Sequence, residues 1–99
     1  MEKEIYLTIL FDYYGELLTE KQQTYFKNYY FDNLSLAEIS ENLNVSRNAI
    51  HKELKYISEK LEFYEEHLKI YEKDKKLESL IEKITDESIK EELISIKDN

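Results

Sequence analysis

Ser46, Arg47, Asn48, His51, Lys52 and Lys55 are the residues of this 99-residue chain whose types and spacing come closest to a recognisable chemistry. A serine ahead of a helix-forming run is an N-cap, its hydroxyl accepting a backbone N–H of the first turn. In a helix begun at Arg47, the guanidinium, amide, imidazole and ammonium groups that follow share one side. Cations and amides on the first turns of a helix can bond phosphate oxygens and base edges, as reading the major groove of DNA requires. Arg47 suits a guanine edge, Asn48, His51 and Lys52 suit base edges or nearby phosphates, and Lys55 suits the backbone. The simpler reading of the same residues is a solvated helix face.

Such a helix must be aimed by others. Ile50, Leu54 and Ile57 form its inward side. Ser35 and Glu38 have the spacing of a capping box, so a preceding helix starts at Leu36 and buries Leu36, Ile39 and Leu43. Asn44 falls where the chain must turn sharply, and asparagine tolerates the left-handed backbone. Val45 is the apolar peg after the turn. The stretch Leu34–Ile57 therefore reads as a helix-turn-helix.

The flanks also read as helices. The first spans residues 2–14, is apolar over much of its circumference, and is closed by Gly15 as a C-cap. Leu17 and Leu18 anchor the connection. Thr19 and Gln22 form a second capping box, and a helix of about 20–31 follows. Its Tyr25, Phe26, Tyr29 and Tyr30 make a core stripe, or else a stacking platform for single-stranded nucleic acid. Downstream, Ile50, Leu54, Ile57, Leu61, Tyr64, Leu68 and Tyr71 alternate spacings of four and three. That heptad seam predicts one continuous helix to about Tyr71 and a homodimer contact along it. Asp74–Lys76 reads as a polar break. A short helix carries Leu77, Leu80, Ile81 and Ile84, and a last one, capped by Thr85-Asp86-Glu87, carries Ile89, Leu93, Ile94 and Ile96. The expected fold is all-α: a helix-turn-helix bundle with a long recognition and dimerisation helix and short C-terminal helices. Residues 1–60 are expected to form the DNA-binding-like domain and 61–99 a dimerising extension.

Composition narrows the function. One glycine and no proline favour helices joined by short turns, and the absence of cysteine excludes disulfides and thiolate metal sites. Two histidines without metal-ligand spacing predict no metal and no cofactor. A chain with a single glycine can hardly build a phosphate-binding loop or a G-x-S-x-G elbow. Ser46 and His51 are no nucleophile–base pair, and Glu65/Glu66 and Glu91/Glu92 are solvated pairs, so no enzyme is expected. The start, MEKE, is not a basic leader, and the apolar run within Ile5–Phe11 is too short to span a bilayer. A cytoplasmic protein without membrane insertion is expected. Net charge is −8, but residues 35–61 are neutral, whereas residues 1–34 carry −3 and 62–99 carry −5. Acidic flanks suppress non-specific nucleic-acid binding and suit a partner with a basic surface.

Phe11–Lys55, with its YGELLTEKQ segment, LSLAEI helix start and VSR turn, resembles the YlxM family of small bacterial helix-turn-helix proteins. KLEFYEEHLKIYEK is similar to that family's charged, tyrosine-containing long helix, so the resemblance covers about residues 4–75 and fades beyond Lys76. The motif is also similar to the −35-reading region of sigma factors, which implies a sigma-70 region 4-like, winged-helix-like form of the bundle. Ser40 stands where alanine is usual, Asn44 where glycine is usual, and Glu53 sits among the bases. The resemblance implies an all-helical fold, a dimer, a regulatory role with DNA as partner, and a link to the signal recognition particle pathway. It equally allows an accessory protein that touches signal recognition particle components, protein or RNA, without binding DNA.

Overall fold

The helix starts are set by side chains that take orphan backbone N–H groups. Thr19 and Gln22 close one capping box, and Ser35 and Glu38 close another, both with reciprocal side-chain bonds. Ser46 accepts from the Ala49 N–H at 3.1 Å, and Asp86 accepts from the Ser88 and Ile89 N–H groups. The computed structural model describes residues 1–99, with six α-helices: α1 Lys3–Tyr14, α2 Glu20–Phe26, α3 Leu36–Leu43, α4 Arg47–Leu68, α5 Ile70–Glu82 and α6 Glu87–Asp98. A 3₁₀ turn, Gly15–Leu17, follows α1, and a π turn, Lys27–Phe31, follows α2. No strand is present. The molecule is all-α, and the winged-helix-like expectation is corrected: there is no β-hairpin to serve as a wing.

α4 is the spine. Its Ile50, Leu54, Ile57 and Leu61 are buried against Leu7, Leu10 and Tyr14 of α1, Tyr25 and Phe26 of α2, and Ile39 of α3, with Leu18 in the same cluster. Burial of a large apolar side chain contributes about 1.5–3 kcal/mol, so this seam is the main source of the protomer's stability. Leu17, expected as an anchor beside Leu18, is instead 54% exposed.

Gly15 does not end α1 as a left-handed cap. Its φ of −56° is right-handed helical. What requires glycine is space: a Cβ there would lie 3.1 Å from the Phe11 ring. That ring cannot retreat easily, because it stacks on Phe26 with centroids 4.4 Å apart and planes 3° from parallel.

The long helix does not run to Tyr71. It stops at Leu68, Lys69 takes a left-handed conformation at φ 56°, and α5 starts at Ile70. The cause is a buried carboxylate. Glu65 is 8% exposed and accepts from the Tyr71 N–H at 3.1 Å and the Glu72 N–H at 3.0 Å. The Tyr14 hydroxyl donates to Glu65 at 2.5 Å and accepts from the Ile70 N–H at 3.1 Å. Three N–H groups that a continuous helix would give to its own preceding turn are thus held by side chains. Asp74–Lys76, expected as the break, lies inside α5, and Asp74 accepts from the Tyr13 hydroxyl at 2.6 Å. α5 packs back on α1, with Tyr71 between Tyr6 and Tyr13, and α6 lies against α5. No helix is long and apolar enough to cross a membrane.

Candidate nucleic-acid interface

The turn between α3 and α4 is built from three devices. Asn44 is left-handed, at φ 55° and ψ 45°. The Val45 N–H donates to the Ser40 carbonyl at 3.2 Å, and the Ser40 hydroxyl donates to the Val45 carbonyl. The serine that replaces a small alanine therefore ties the turn across its mouth, a role that size alone did not reveal. At the start of α3, hydrogen bonds from the Ser35 backbone N–H, and then its side chain, hold the Glu38 carboxyl below the usual range.

These contacts aim the first turns of α4. Ser46 caps the helix and is exposed, and Arg47, Asn48, His51, Lys52 and Lys55 are all exposed as well. Behind them Ile50 and Ile57 are fully buried and Leu54 nearly so, so the helix cannot roll to hide its polar side. The ion pairs of the molecule join Lys3 to Glu62, Lys76 to Glu72, and Lys97 to Glu78 and Asp98. Arg47, Lys52 and Lys55 take part in none, and their charge is free to meet a partner's.

Glu53, which stands among these bases in sequence, does not stand among them in space. Its carboxylate accepts from Gln22 Nε2 at 3.1 Å. Gln22 is itself 8% exposed, and its Oε1 takes the Thr19 N–H at 3.0 Å. One glutamine thus caps α2 with its oxygen and holds Glu53 toward α2 with its nitrogen. Spacing identified Gln22 as a cap; its second bond spans 31 residues and left no local signal. Farther along α4, Glu59, Glu62 and Glu66 follow the bases, so the cationic surface belongs to the first turns alone.

The expected dimer seam is divided. Ile50, Leu54, Ile57 and Leu61 are interior to the single chain and have no surface to offer a partner. Tyr64 is half-buried beside Tyr14, with ring centroids 5.9 Å apart, and Tyr71 lies beyond the Lys69 joint on α5. Leu68 remains outward at 46% exposure. The heptad spacing is genuine, but α1, α2 and α3 supply the partner surfaces along its first half. The aromatic stripe divides too: Tyr25 and Phe26 are core, Tyr30 is half-buried and Tyr29 is 37% exposed.

The chain is 47% identical over 55 residues to UPF0122 proteins of Bacillus thuringiensis (strain Al Hakam), Bacillus mycoides (strain KBAB4) and Bacillus cereus (strain AH187). Those matches take in 56% of this chain and 50% of each relative, so the chain spans about half the length of the curated relatives it matches. The family model UPF0122, described as "Putative helix-turn-helix protein, YlxM / p13 like", matches residues 1–99, well past Lys76. With its capped α3, left-handed Asn44 and exposed basic start of α4, the chain belongs to this YlxM / p13-like helix-turn-helix family.

Proposed function

We propose that this protein is a DNA-binding regulator that lays the start of α4 in the major groove and acts as a homodimer. The observation that carries the reading is the isolation of its cations. Arg47, Lys52 and Lys55 stand exposed on the first turns of α4 and form no ion pair, while Glu53, the carboxylate that stands among them in sequence, is turned to Gln22. In a chain of net charge −8 such a patch is not a by-product of general basicity. Arg47 at the helix start reaches a guanine edge, Asn48, His51 and Lys52 reach base edges or adjacent phosphates, and Lys55 holds the backbone. Dimerisation is proposed through surface left outside the protomer core: Leu68 at 46%, Leu80 at 54% and Ile96 at 70% exposure are its apolar candidates.

The test is a titration of genomic fragments at low salt with wild type and Arg47→Ala. Wild type is expected to bind a subset of fragments, and Arg47→Ala to lose about 1–3 kcal/mol on that subset. Three cations per protomer give a log–log salt slope of about −5 for a dimer on about six phosphates, and about −3 for one protomer. Absence of binding by either protein, or equal binding by both, would sink the reading. The accessory-protein alternative, contact with signal recognition particle protein or RNA without DNA, would then lead, with co-purification from cells as its test.

A further inference from the structure

Beside the exposed start of α4 lies a cavity of about 190 Å³ that the sequence did not announce. Its polar lining is Tyr29 and Tyr30 from the π turn, with His51, Lys55 and Ser58 from α4; two leucines complete it. Three larger cavities on the molecule are each lined by at least one glutamate. This one has no carboxylate in its own lining; Tyr30, Lys55 and Ser58 also border the adjoining cavity, whose far side carries Glu4, Glu59 and Glu62. What it offers is an ammonium group, an imidazole and two tyrosine hydroxyls, the Ser58 hydroxyl being donated to the Leu54 carbonyl at 3.0 Å, around a space with room for a phosphate and its waters. Such a set prefers an oxyanion.

The π turn brings the tyrosines there. The Asp32 N–H donates to the Lys27 carbonyl at 2.9 Å, five residues back, which widens this turn of helix and rotates the side chains that follow. Tyr29 packs edge-on against Tyr30, centroids 5.0 Å apart, and keeps 37% of its surface open. Burial pushes the Tyr30 hydroxyl upward, against a hydrogen bond with Ser58 that lowers it. A solvated helix face needs none of this.

We infer that the cavity seats one phosphodiester of a DNA backbone, with Lys55 supplying the charge and the Tyr29 hydroxyl a hydrogen bond. The inference rests on the DNA-binding reading and adds to it a site off the recognition helix. It places α2's π turn against the strand that His51 and Lys55 follow. Tyr29 then helps to set how far α4 enters the groove without reading any base.

The experiment is fluorescence anisotropy of labelled duplexes with wild type, Tyr29→Phe, Lys55→Ala and the double variant, across a salt series. Tyr29 is partly exposed and loses only an oxygen, so Tyr29→Phe is expected to keep its melting temperature. It should bind every duplex about five-fold more weakly, with the salt slope unchanged. Lys55→Ala should make the slope shallower by about 1 per bound protomer. Because both groups hold one phosphate, the double variant should lose less than the product of the single losses. Unchanged binding by Tyr29→Phe, or independent losses, overturns the inference while leaving the DNA reading intact. Failure of wild type to bind any duplex overturns both, and is told apart by appearing in the wild type. Inorganic phosphate is the second arm, followed through the Tyr29 ring resonances. Saturation below about 1 mM would assign the cavity to a free anion and overturn the backbone assignment.

Discussion

At Asn44 and Tyr14, two single side chains decide geometry that whole helices then express. Asn44 holds a left-handed backbone in the turn that leads into α4. Asn44→Gly is expected to melt within a few degrees of wild type. Asn44→Val should cost about 1–2 kcal/mol more, since a β-branched side chain clashes in that conformation. Thermal denaturation of the two variants checks this; equal melting points would place the strain elsewhere. Tyr14 is 1% exposed, and burial first, then its bond to Glu65, push its hydroxyl up to about 12 from an ordinary 10. The sign follows from which form the fold prefers. The protonated phenol is favoured in the folded state, so its contribution is complete below pH 10 and is lost between pH 10 and about 12. Tyr14→Phe should therefore lower stability at neutral pH by about 1–3 kcal/mol, leaving a buried carboxylate one donor short. It should also flatten the alkaline limb of a pH–stability curve measured by denaturant titration. An alkaline limb unchanged by the substitution would mean that other tyrosines govern it.

Among the elements, those specified by local chemistry were legible and those specified by distant contacts were not. Both capping boxes, the turn at Asn44, the cap at Ser46 and the inward faces of α3 and α4 stand where spacing put them. The exposure of Arg47, Asn48, His51, Lys52 and Lys55 was legible for the same reason, since a helix face follows from its own periodicity. The joint at Lys69 was not, because it depends on Glu65 meeting Tyr14 across 51 residues. A lysine gives no hint of a left-handed residue, and the heptad spacing runs across the joint undisturbed. The π turn likewise had no signal in a run of aromatics. The same distinction separates two leucines seven residues apart on α4. Leu61 is fully buried and Leu68 is 46% exposed. Leu61→Ala is expected to destabilise the protomer by about 2–5 kcal/mol. Leu68→Lys should leave the melting temperature of the monomer nearly unchanged and weaken self-association. Sedimentation of Leu68→Lys beside wild type is the measurement, and identical sedimentation of the two would remove Leu68 from any subunit contact.

For the molecule as a whole, the distribution of charge and the elongated outline, 56 × 24 × 24 Å, set what it can approach. The flanks carry the net negative charge and the start of α4 does not, so on the proposed reading a polyanion is favoured there over the rest of the surface. The hydrogen bonds from Tyr13 to Asp74 and from Tyr14 to Glu65 have a further consequence, for the order in which the chain can be completed. On the ribosome, α1 emerges before α2, α3 and α4, and part of the surface that covers it, Leu61, Glu65 and Tyr71, follows only after those elements are largely out. Closing so long a loop is slow and must precede the reward of the contacts it permits. The nascent chain therefore carries an incompletely covered α1, with Tyr6, Tyr13 and Tyr14 lacking their distal partners, until about residue 74 is free of the exit tunnel. A fragment of residues 1–60, cut inside α4, should remain in that unfinished condition: circular dichroism should show partial helix without a cooperative melt. A fragment of residues 1–84 should melt cooperatively. A sharp transition in the shorter fragment would show that the helix-turn-helix closes without its distal helices.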